Sequence, residues 1–252
     1  PDIISILTIK GCNSSGCHGS PAGQSGFRLS LFGYDVDADH QMIVKSHDGR
    51  RVNLEHPEES LLLQKPSFAI PHGGGQVLPL GSDEYRTILN WLKQGAPLDS
   101  SGVRLTKLEI YPAERILVGT GSQQHLVIIG RLSDGTTRDM TREVRYAIQD
   151  QGVARIADEG VMTAAGPGLT TVMARAMGKV ATAQIGVIEA VASPAYLRVK
   201  SNNFVDDFVF AKLRQMNVPA SPVTTDREFV RRVYLDAIGQ LPTIGEVRAF
   251  LD

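Results

Sequence analysis

The apolar residues of this chain are spaced as in helices near both ends and as in strands in the middle. Between Ser82 and Gly95 they recur three and four positions apart, which predicts an amphipathic helix with Ser82 as its N-cap. Residues 104–190 instead carry short alternating runs separated by glycine-containing turns, which is typical of a β-sandwich. Residues 200–252 return to helical spacing. We therefore predict a multidomain chain with domains at residues 1–102, 103–192 and 193–252.

Turn and cap residues place the individual elements. Gly11 ends a short apolar helix and Pro57 begins another, because proline fits the first helical position. The middle region predicts strands near residues 126–128, 153–156, 161–163, 170–176 and 180–188. The last region predicts a helix over residues 203–216 with three apolar residues on one side: Phe204, Phe208 and Leu213. Two further helices there begin with capping boxes, Thr225 with Glu228 and Thr243 with Glu246.

Composition narrows the classes of function. Hydrophobic residues make up 42% of the 252 residues, enough for a sizeable core, and the formal net charge is −1. This balance gives no basic surface of the kind that nucleic acid requires, so we expect no nucleic-acid partner. We also expect no membrane span, since no apolar run reaches the roughly 18 residues of a membrane helix. Because the chain begins at Pro1 without the basic start of a signal peptide, we expect a trimmed part of a longer protein.

The chemistry of the sequence is concentrated between Cys12 and His18. The two cysteines of the chain lie five positions apart, and His18 directly follows the second. The motif C-x-x-C-H attaches haem through both thiols, and its histidine becomes an axial ligand of the iron. Here the spacing is C-x4-C-H, so we expect residues 13–16, which are small or turn-forming, to loop out. The motif predicts one covalent haem c held by Cys12, Cys17 and His18.

Other roles for the cysteines stay open from the residues alone. In an oxidising compartment Cys12 and Cys17 can form a disulfide. A zinc site can use thiolates and histidines, although tetrahedral sites usually show a second close pair of ligands, which is not visible in this sequence. The cysteines can also be unrelated and inert. In an alternative function, the middle domain acts in adhesion or assembly, and Cys12 and Cys17 only cross-link the first domain through a disulfide or a bound metal.

A six-coordinate haem needs a second axial ligand, for which we expect His72. This residue follows Pro71 and precedes three glycines, where the absence of side chains lets the backbone pass close to a flat porphyrin. Met42 is the only methionine among the first hundred residues, but it lies in a polar segment. The other three histidines there are typical of a surface helix, a polar turn and a helix start, in the order His40, His47 and His56.

Residues 10–97 resemble the cytochrome c-like domain at the N-terminus of large multidomain proteins of Planctomycetes and related bacteria. The resemblance rests on GCNSSGCHGS, GFRLSLFGYD, RRVNLEHPEESLLLQKP, IPHGGG and SDEYRTILNWLKQGAP. In the wider family an MPP segment before the last helix supplies a methionine ligand. This sequence has Pro71-His72 there, which implies ligation by two histidines, His18 and His72. Residues 105–189 resemble a bacterial Ig-like domain of group 2, and residues 202–252 resemble the opening of a helical domain of unknown function.

The resemblance implies the fold and the cofactor more than the function, and from the haem motif we expect an electron-transfer module in the periplasm or outside the cell. Two imidazoles leave the iron no open site, so we expect a low-spin, low-potential haem. Four basic residues could pair with its propionates or be surface charges: Arg28, Arg50, Arg51 and Lys65. The expected partner is a redox protein or further domains of the same protein, with the Ig-like domain as a spacer. Oligomeric state is not predicted. Whether the whole protein is an enzyme stays open, because no Ser/His/Asp arrangement or phosphate loop is visible in the sequence.

Overall fold

The computed structural model describes residues 2–189 and 200–252, and these contain both helices and β-sheets. The chain divides into two compact units, residues 1–190 and 191–252. The first unit holds a helical region followed by a strand region, and the described part of the second unit is helical. The protein is therefore a mixed, multidomain chain. The boundary predicted between residues 192 and 193 lies outside the described residues.

Residues 2–97, which we call the helical region, contain short helices joined by loops. The helices are α1 (Asp2–Ile9), α2 (Val36–Val44), α3 (Leu61–Gln64) and α4 (Asp83–Lys93), with 3₁₀ turns at Leu31–Gly33 and Pro57–Glu59. Helix α4 begins as predicted, because the side chain of Ser82 accepts a hydrogen bond from the backbone N–H of Tyr85. Asp35 caps α2 in the same way, by accepting from the N–H of Ala38.

One face of α4 forms part of the core of the helical region. Tyr85, Ile88 and Leu92 are buried on this face, with the helical spacing that the sequence predicts. They belong to a cluster with apolar residues of α1, α2, α3 and the loops: Ile4, Ile6, Leu7, Leu29, Ile43, Leu62, Leu63, Leu78 and Ala96. Cys12 and Phe27 pack against this cluster while remaining partly exposed, so the cysteine motif is in contact with the core.

Residues 105–188, which we call the strand region, contain ten strands. They are β1 (Leu105–Tyr111), β2 (Glu114–Val118), β3 (Gln123–His125), β4 (Val127–Leu132), β5 (Thr137–Asp139), β6 (Arg145–Ile148), β7 (Ala154–Ile156), β8 (Val161–Ala164), β9 (Gly168–Ala176) and β10 (Lys179–Ile188). The five runs predicted from the sequence correspond to β4, β7, β8, β9 and β10. The other five strands lie where no run was predicted.

The strands form three sheets, in the orders β1-β4-β5, β2-β10-β9-β6 and β3-β8-β7. Strands β9 and β10 make an antiparallel hairpin in which Ala176 pairs with Lys179, and β2 runs parallel to β10. Alternate side chains along a strand point to opposite faces. Those that point inward build one core, which includes Leu108, Ile110, Leu117, Ile128, Met162, Val172, Ala174, Ile185 and Val187.

The helical region and the strand region contact each other within the first unit. Arg138 of β5 forms a salt bridge with Asp2 of α1, with 2.9 Å between nitrogen and oxygen. The guanidinium carbon of Arg175 of β9 lies 5.2 Å from the centre of the Phe32 ring. Met177, in the turn between β9 and β10, packs against the cores of both regions.

The second unit contains α5 (Phe204–Gln215), α6 (Asp226–Ile238) and α7 (Ile244–Leu251). Both predicted capping boxes are present, at the start of α6 and of α7. The predicted apolar side of α5 is not buried, because Phe204 and Phe208 are 72% and 74% exposed. Helical spacing identifies an apolar side but does not determine what it packs against. Between α6 and α7, the rings of Phe229 and Phe250 stack at 5.9 Å.

Candidate functional site

The segment from Cys12 to Gly19 folds back on itself. The N–H of His18 donates to the carbonyl of Cys12 at 2.9 Å, and the N–H of Gly19 donates to the carbonyl of Ser14 at 3.0 Å. Gly19 lies so close to Asn13 that a Cβ at this position would be 2.0 Å from the Asn13 carbonyl oxygen. A tight loop therefore carries both cysteines and His18.

The expectation that residues 13–16 all loop out is wrong for Asn13. Ser15 and Gly16 are exposed, whereas Asn13 is 0% exposed. Its Nδ2 donates to Oγ1 of Thr8 in α1 at 2.9 Å, and its carbonyl accepts from the N–H of Phe32 at 3.1 Å. The longer spacing between the cysteines is therefore accommodated in two ways. Asn13 is held in the interior, and Ser15 and Gly16 form an exposed turn.

Cys12 and Cys17 are free, half-buried thiols. Burial, together with the neighbouring Cys17, raises the pKa of the Cys12 thiol to about 11. Cys12 is therefore a protonated thiol at neutral pH, and a zinc ion that bound to it would have to displace this proton. Thioether formation consumes free thiols, so the state of both residues is compatible with covalent attachment of haem.

The tertiary structure brings His18 and His72 together from separate loops. Their ring centres lie 6.3 Å apart, and the ring planes differ by 15°. This separation suits two imidazoles that share one metal ion, because a metal–imidazole bond is about 2 Å long and the nitrogen lies about 1 Å from its ring centre. The arrangement is therefore compatible with ligation of one iron by both rings.

Each of these histidines has its Nδ1 on a backbone carbonyl. Nδ1 of His18 lies 3.0 Å from the carbonyl oxygen of Phe27, and Nδ1 of His72 lies 2.9 Å from that of Gly75. A carbonyl oxygen only accepts, so Nδ1 carries the hydrogen in both rings and Nε2 keeps its lone pair. Metal-ligating histidines usually have such a second partner, which fixes their tautomer and orientation.

The surroundings of His18 favour the neutral imidazole. Burial is the largest cause that lowers its pKa, and the bond to the Phe27 carbonyl opposes it. His72 and the positive charges of Arg51 and Lys65 lower this pKa further. Only a neutral imidazole has a lone pair for a metal, so His18 is in its ligating form at neutral pH.

The glycines after His72 have two different functions in the structure. A Cβ at Gly74 would lie 3.0 Å from Cε1 of His72, so this glycine leaves room for the imidazole ring itself. Gly75 has a φ of +71°, which favours glycine, and its carbonyl accepts the hydrogen bond from His72. The sequence suggested these glycines because their missing side chains leave room for a porphyrin. In the structure, Gly74 also leaves room for the His72 ring and Gly75 accepts its hydrogen bond.

Other ligand candidates of the helical region have different surroundings. His40 is half-buried, with Nε2 at 2.8 Å from the carbonyl of Ala96, so its interpretation as a surface residue is wrong. His47 and His56 are exposed, as their turn positions predict. Met42 is half-buried in α2. Among the described residues, the ring contact of His18 with another histidine is the one with His72.

Arg51 is the residue whose environment the sequence analysis missed. It was considered as a partner for a haem propionate or as a surface charge, yet it is 9% exposed. Its guanidinium donates to the carbonyl oxygens of Met42, Ser46 and Gly26 at 3.0, 3.2 and 2.9 Å. These bonds occupy donors that a propionate would need. No sequence signal separates Arg51 from its neighbour Arg50, which is exposed.

The side chains at this site suit a haem better than a bare metal ion. In residues 2–189 and 200–252, no three His, Cys, Asp or Glu side chains converge as a possible metal site. A structural zinc ion needs four protein ligands. A haem iron needs from the protein only its axial ligands, and His18 and His72 are available for that purpose, with free thiols at Cys12 and Cys17 for attachment.

Three further findings concern more than this site. None of the helices in the described residues is long and apolar enough to cross a membrane. No curated protein matches the chain. Residues 204–252, which contain α5, α6 and α7, match the family described as PSCyt2, a protein of unknown function (DUF1549), a domain typical of planctomycete proteins.

Proposed function

We propose that this protein is an electron-transfer module that carries one covalently bound haem c. Cys12 and Cys17 attach the haem, and His18 and His72 are its axial ligands. The observation that carries this proposal is the pair of imidazoles, 6.3 Å apart and each with Nδ1 on a backbone carbonyl. Both features are compatible with ligation of one iron by the two rings.

The chain's own residues define what the centre can do. Two thioether bonds hold the group permanently, so it cannot exchange with free haem. With His18 and His72 both engaged as ligands, the centre would disfavour binding of oxygen and chemistry at the metal. The haem, when bound, accepts and donates single electrons. The carbonyls of Phe27 and Gly75 hold both rings in the tautomer with a free Nε2.

The wider organisation in this proposal follows the resemblance of the sequence. Residues 1–102 form a cytochrome c-like domain, residues 103–192 a bacterial Ig-like sandwich, and residues 193–252 the opening of a helical domain. The match of residues 204–252 to a domain typical of planctomycete proteins supports this order. The module works in the periplasm or outside the cell, and its electrons pass to a redox protein or to further domains of the same protein.

Covalent attachment is tested by secreting the chain from a host that has a cytochrome c maturation system. Intact mass is expected to exceed the chain mass by one haem, and haem staining is expected to persist on a denaturing gel. The variant with both Cys12→Ser and Cys17→Ser is the matched control and should lose the stain. An unmodified chain that is two hydrogens lighter would instead identify a disulfide and contradict the proposal.

Axial ligation is tested with His72→Ala in the same haem-loaded protein. The loss of one imidazole is expected to convert a low-spin haem into a high-spin haem that binds cyanide or carbon monoxide. Met42→Ala and His40→Ala are controls in the same region and should leave the low-spin spectrum unchanged. A low-spin spectrum that survives in His72→Ala but disappears in either control would show that the ligand is misassigned.

A further inference from the structure

Arg51 is a buried cation without an acidic partner. Its guanidinium is held by three backbone carbonyls, and it forms no salt bridge with any acidic residue of the described chain. A guanidinium stays protonated in proteins, so the charge is permanent. Neutral carbonyl dipoles stabilise this charge but do not cancel it, and its field extends into the surrounding interior.

A single side chain connects Arg51 to His18. The guanidinium carbon of Arg51 lies 4.7 Å from the centre of the Phe27 ring, a cation–π contact. Phe27 is also in contact with His18, whose ring centre lies 4.5 Å from that of Phe27. The carbonyl of the same residue accepts the hydrogen bond from Nδ1 of His18. Arg51 therefore packs against Phe27, whose backbone carbonyl orients His18.

We propose that Arg51 is a positioning residue that also raises the reduction potential of the haem centre through its uncompensated charge. This inference rests on the proposed function. Reduction adds one electron and removes one positive charge from the centre, while no proton moves and no bond forms at Arg51. A fixed positive charge nearby therefore repels the oxidised centre more than the reduced one. Arg51 opposes the low potential that two imidazole ligands impose.

The test is the midpoint potential of the haem-loaded chain, measured by mediated titration. Arg51→Gln, which keeps amide donors but removes the charge, is expected to shift the equilibrium about tenfold toward the oxidised form, which equals about 59 mV for one electron. Arg51→Lys retains the charge and should stay close to the wild-type potential. All variants should remain low-spin, because both imidazoles are retained.

A second variant neutralises Arg51 without removing it. His47 is exposed, has a φ of +56°, and its Nδ1 lies 3.5 Å from the Arg51 guanidinium. Aspartate tolerates this backbone conformation, so His47→Asp places a carboxylate beside the guanidinium. The potential should fall, but by less than in Arg51→Gln because water screens part of the new charge, whereas His47→Asn should leave it unchanged. This variant keeps the test valid if Arg51→Gln does not fold.

Lys45 provides the control, because it lies in the same helical region but is exposed to solvent. Lys45→Gln is expected to leave the potential unchanged, since water screens its charge. An unchanged potential in His47→Asp and in Arg51→Gln would overturn the inference, as would an equal fall in Arg51→Lys and Arg51→Gln. A wild-type chain without haem would overturn the proposed function as well, so the two failures are distinguishable.

Discussion

The helical region and the strand region of the first unit differ in what they bury. Seven polar or charged residues are buried among residues 2–97, namely Ser5, Thr8, Asn13, Asp39, Arg51, Ser60 and Ser67. The strand region buries two, Thr141 and Thr170. The difference shows that the strand region is held mainly by apolar packing, whereas the helical region depends on specific polar contacts around its loops.

Backbone pairing explains the difference. In a sheet, each strand satisfies the N–H and C=O groups of its neighbour, so few side chains are needed for that purpose. Long loops have no such partner strand. Asp39 accepts from the N–H of Ser30, Oγ of Ser60 accepts from the N–H of Asn53, and Arg51 donates to carbonyls. The loops that carry His18 and His72 belong to the region that needs such contacts.

The largest effect is expected from a cavity in the strand region. Ile128 is 0% exposed in its core, so Ile128→Ala should lower the free energy of unfolding by about 4 kcal/mol. Urea unfolding is followed by circular dichroism for the strands and by fluorescence of Trp91, the only tryptophan, for the helical region. The Trp91 transition should move less. Equal movement of both transitions would mean one cooperative unit and would remove the distinction between the regions.

A smaller effect is expected from a pair of glycines, one in each region. A Cβ at Gly19 would lie 2.0 Å from the backbone oxygen of Asn13, so Gly19→Ala should cost about 3 kcal/mol of stability. A Cβ at Gly130 would meet Sδ of Met140, a flexible side chain that can move, so Gly130→Ala should cost about 1 kcal/mol. Thermal unfolding of both variants measures this difference. The reverse order would contradict the view that the loop from Cys12 to Gly19 is the more tightly constrained site.

A further effect, smaller than that of Gly19→Ala, concerns Asp39, whose carboxylate accepts from N and Oγ of Ser30 at 2.5 and 2.6 Å. Asp39→Ala leaves these donors unpaired and should cost about 2 kcal/mol. Asp39→Asn should cost less, because its amide retains one acceptor. Urea unfolding followed by Trp91 fluorescence provides the measurement.

The same carboxyl has a pH dependence of defined sign. Burial raises the pKa of Asp39 above its ordinary value of 3.8, so the folded protein binds this proton more tightly than the unfolded chain. The resulting stabilisation is complete below that ordinary value and is lost as the pH rises through the raised pKa. The stability gap between wild type and Asp39→Asn should therefore narrow with rising pH. A gap that widens over this range would show that the carboxylate is stabilised in its charged form.

Local patterns were sufficient for elements whose determinants lie close together in the chain. Helix α4 has its cap at Ser82 and its buried face at Tyr85, Ile88 and Leu92, all within one segment. The capping boxes of α6 and α7 are equally local. Burial of individual polar residues was not predictable in this way. Asn13 and His40 are held by Thr8 and Ala96, and only the path of the chain brings these partners to them.

The sequence by itself determined which side chains are available for the chemistry: two cysteines and a following histidine at C-x4-C-H spacing, and a second histidine before a run of glycines. The tertiary structure alone decided that the rings of His18 and His72 lie 6.3 Å apart, with Phe27 and Gly75 as their hydrogen-bond acceptors. It also decided that Arg51, rather than Arg50, is buried beside Phe27. The physical reason is that a distance between two loops depends on how the core beneath them packs, and that packing is a property of the whole region.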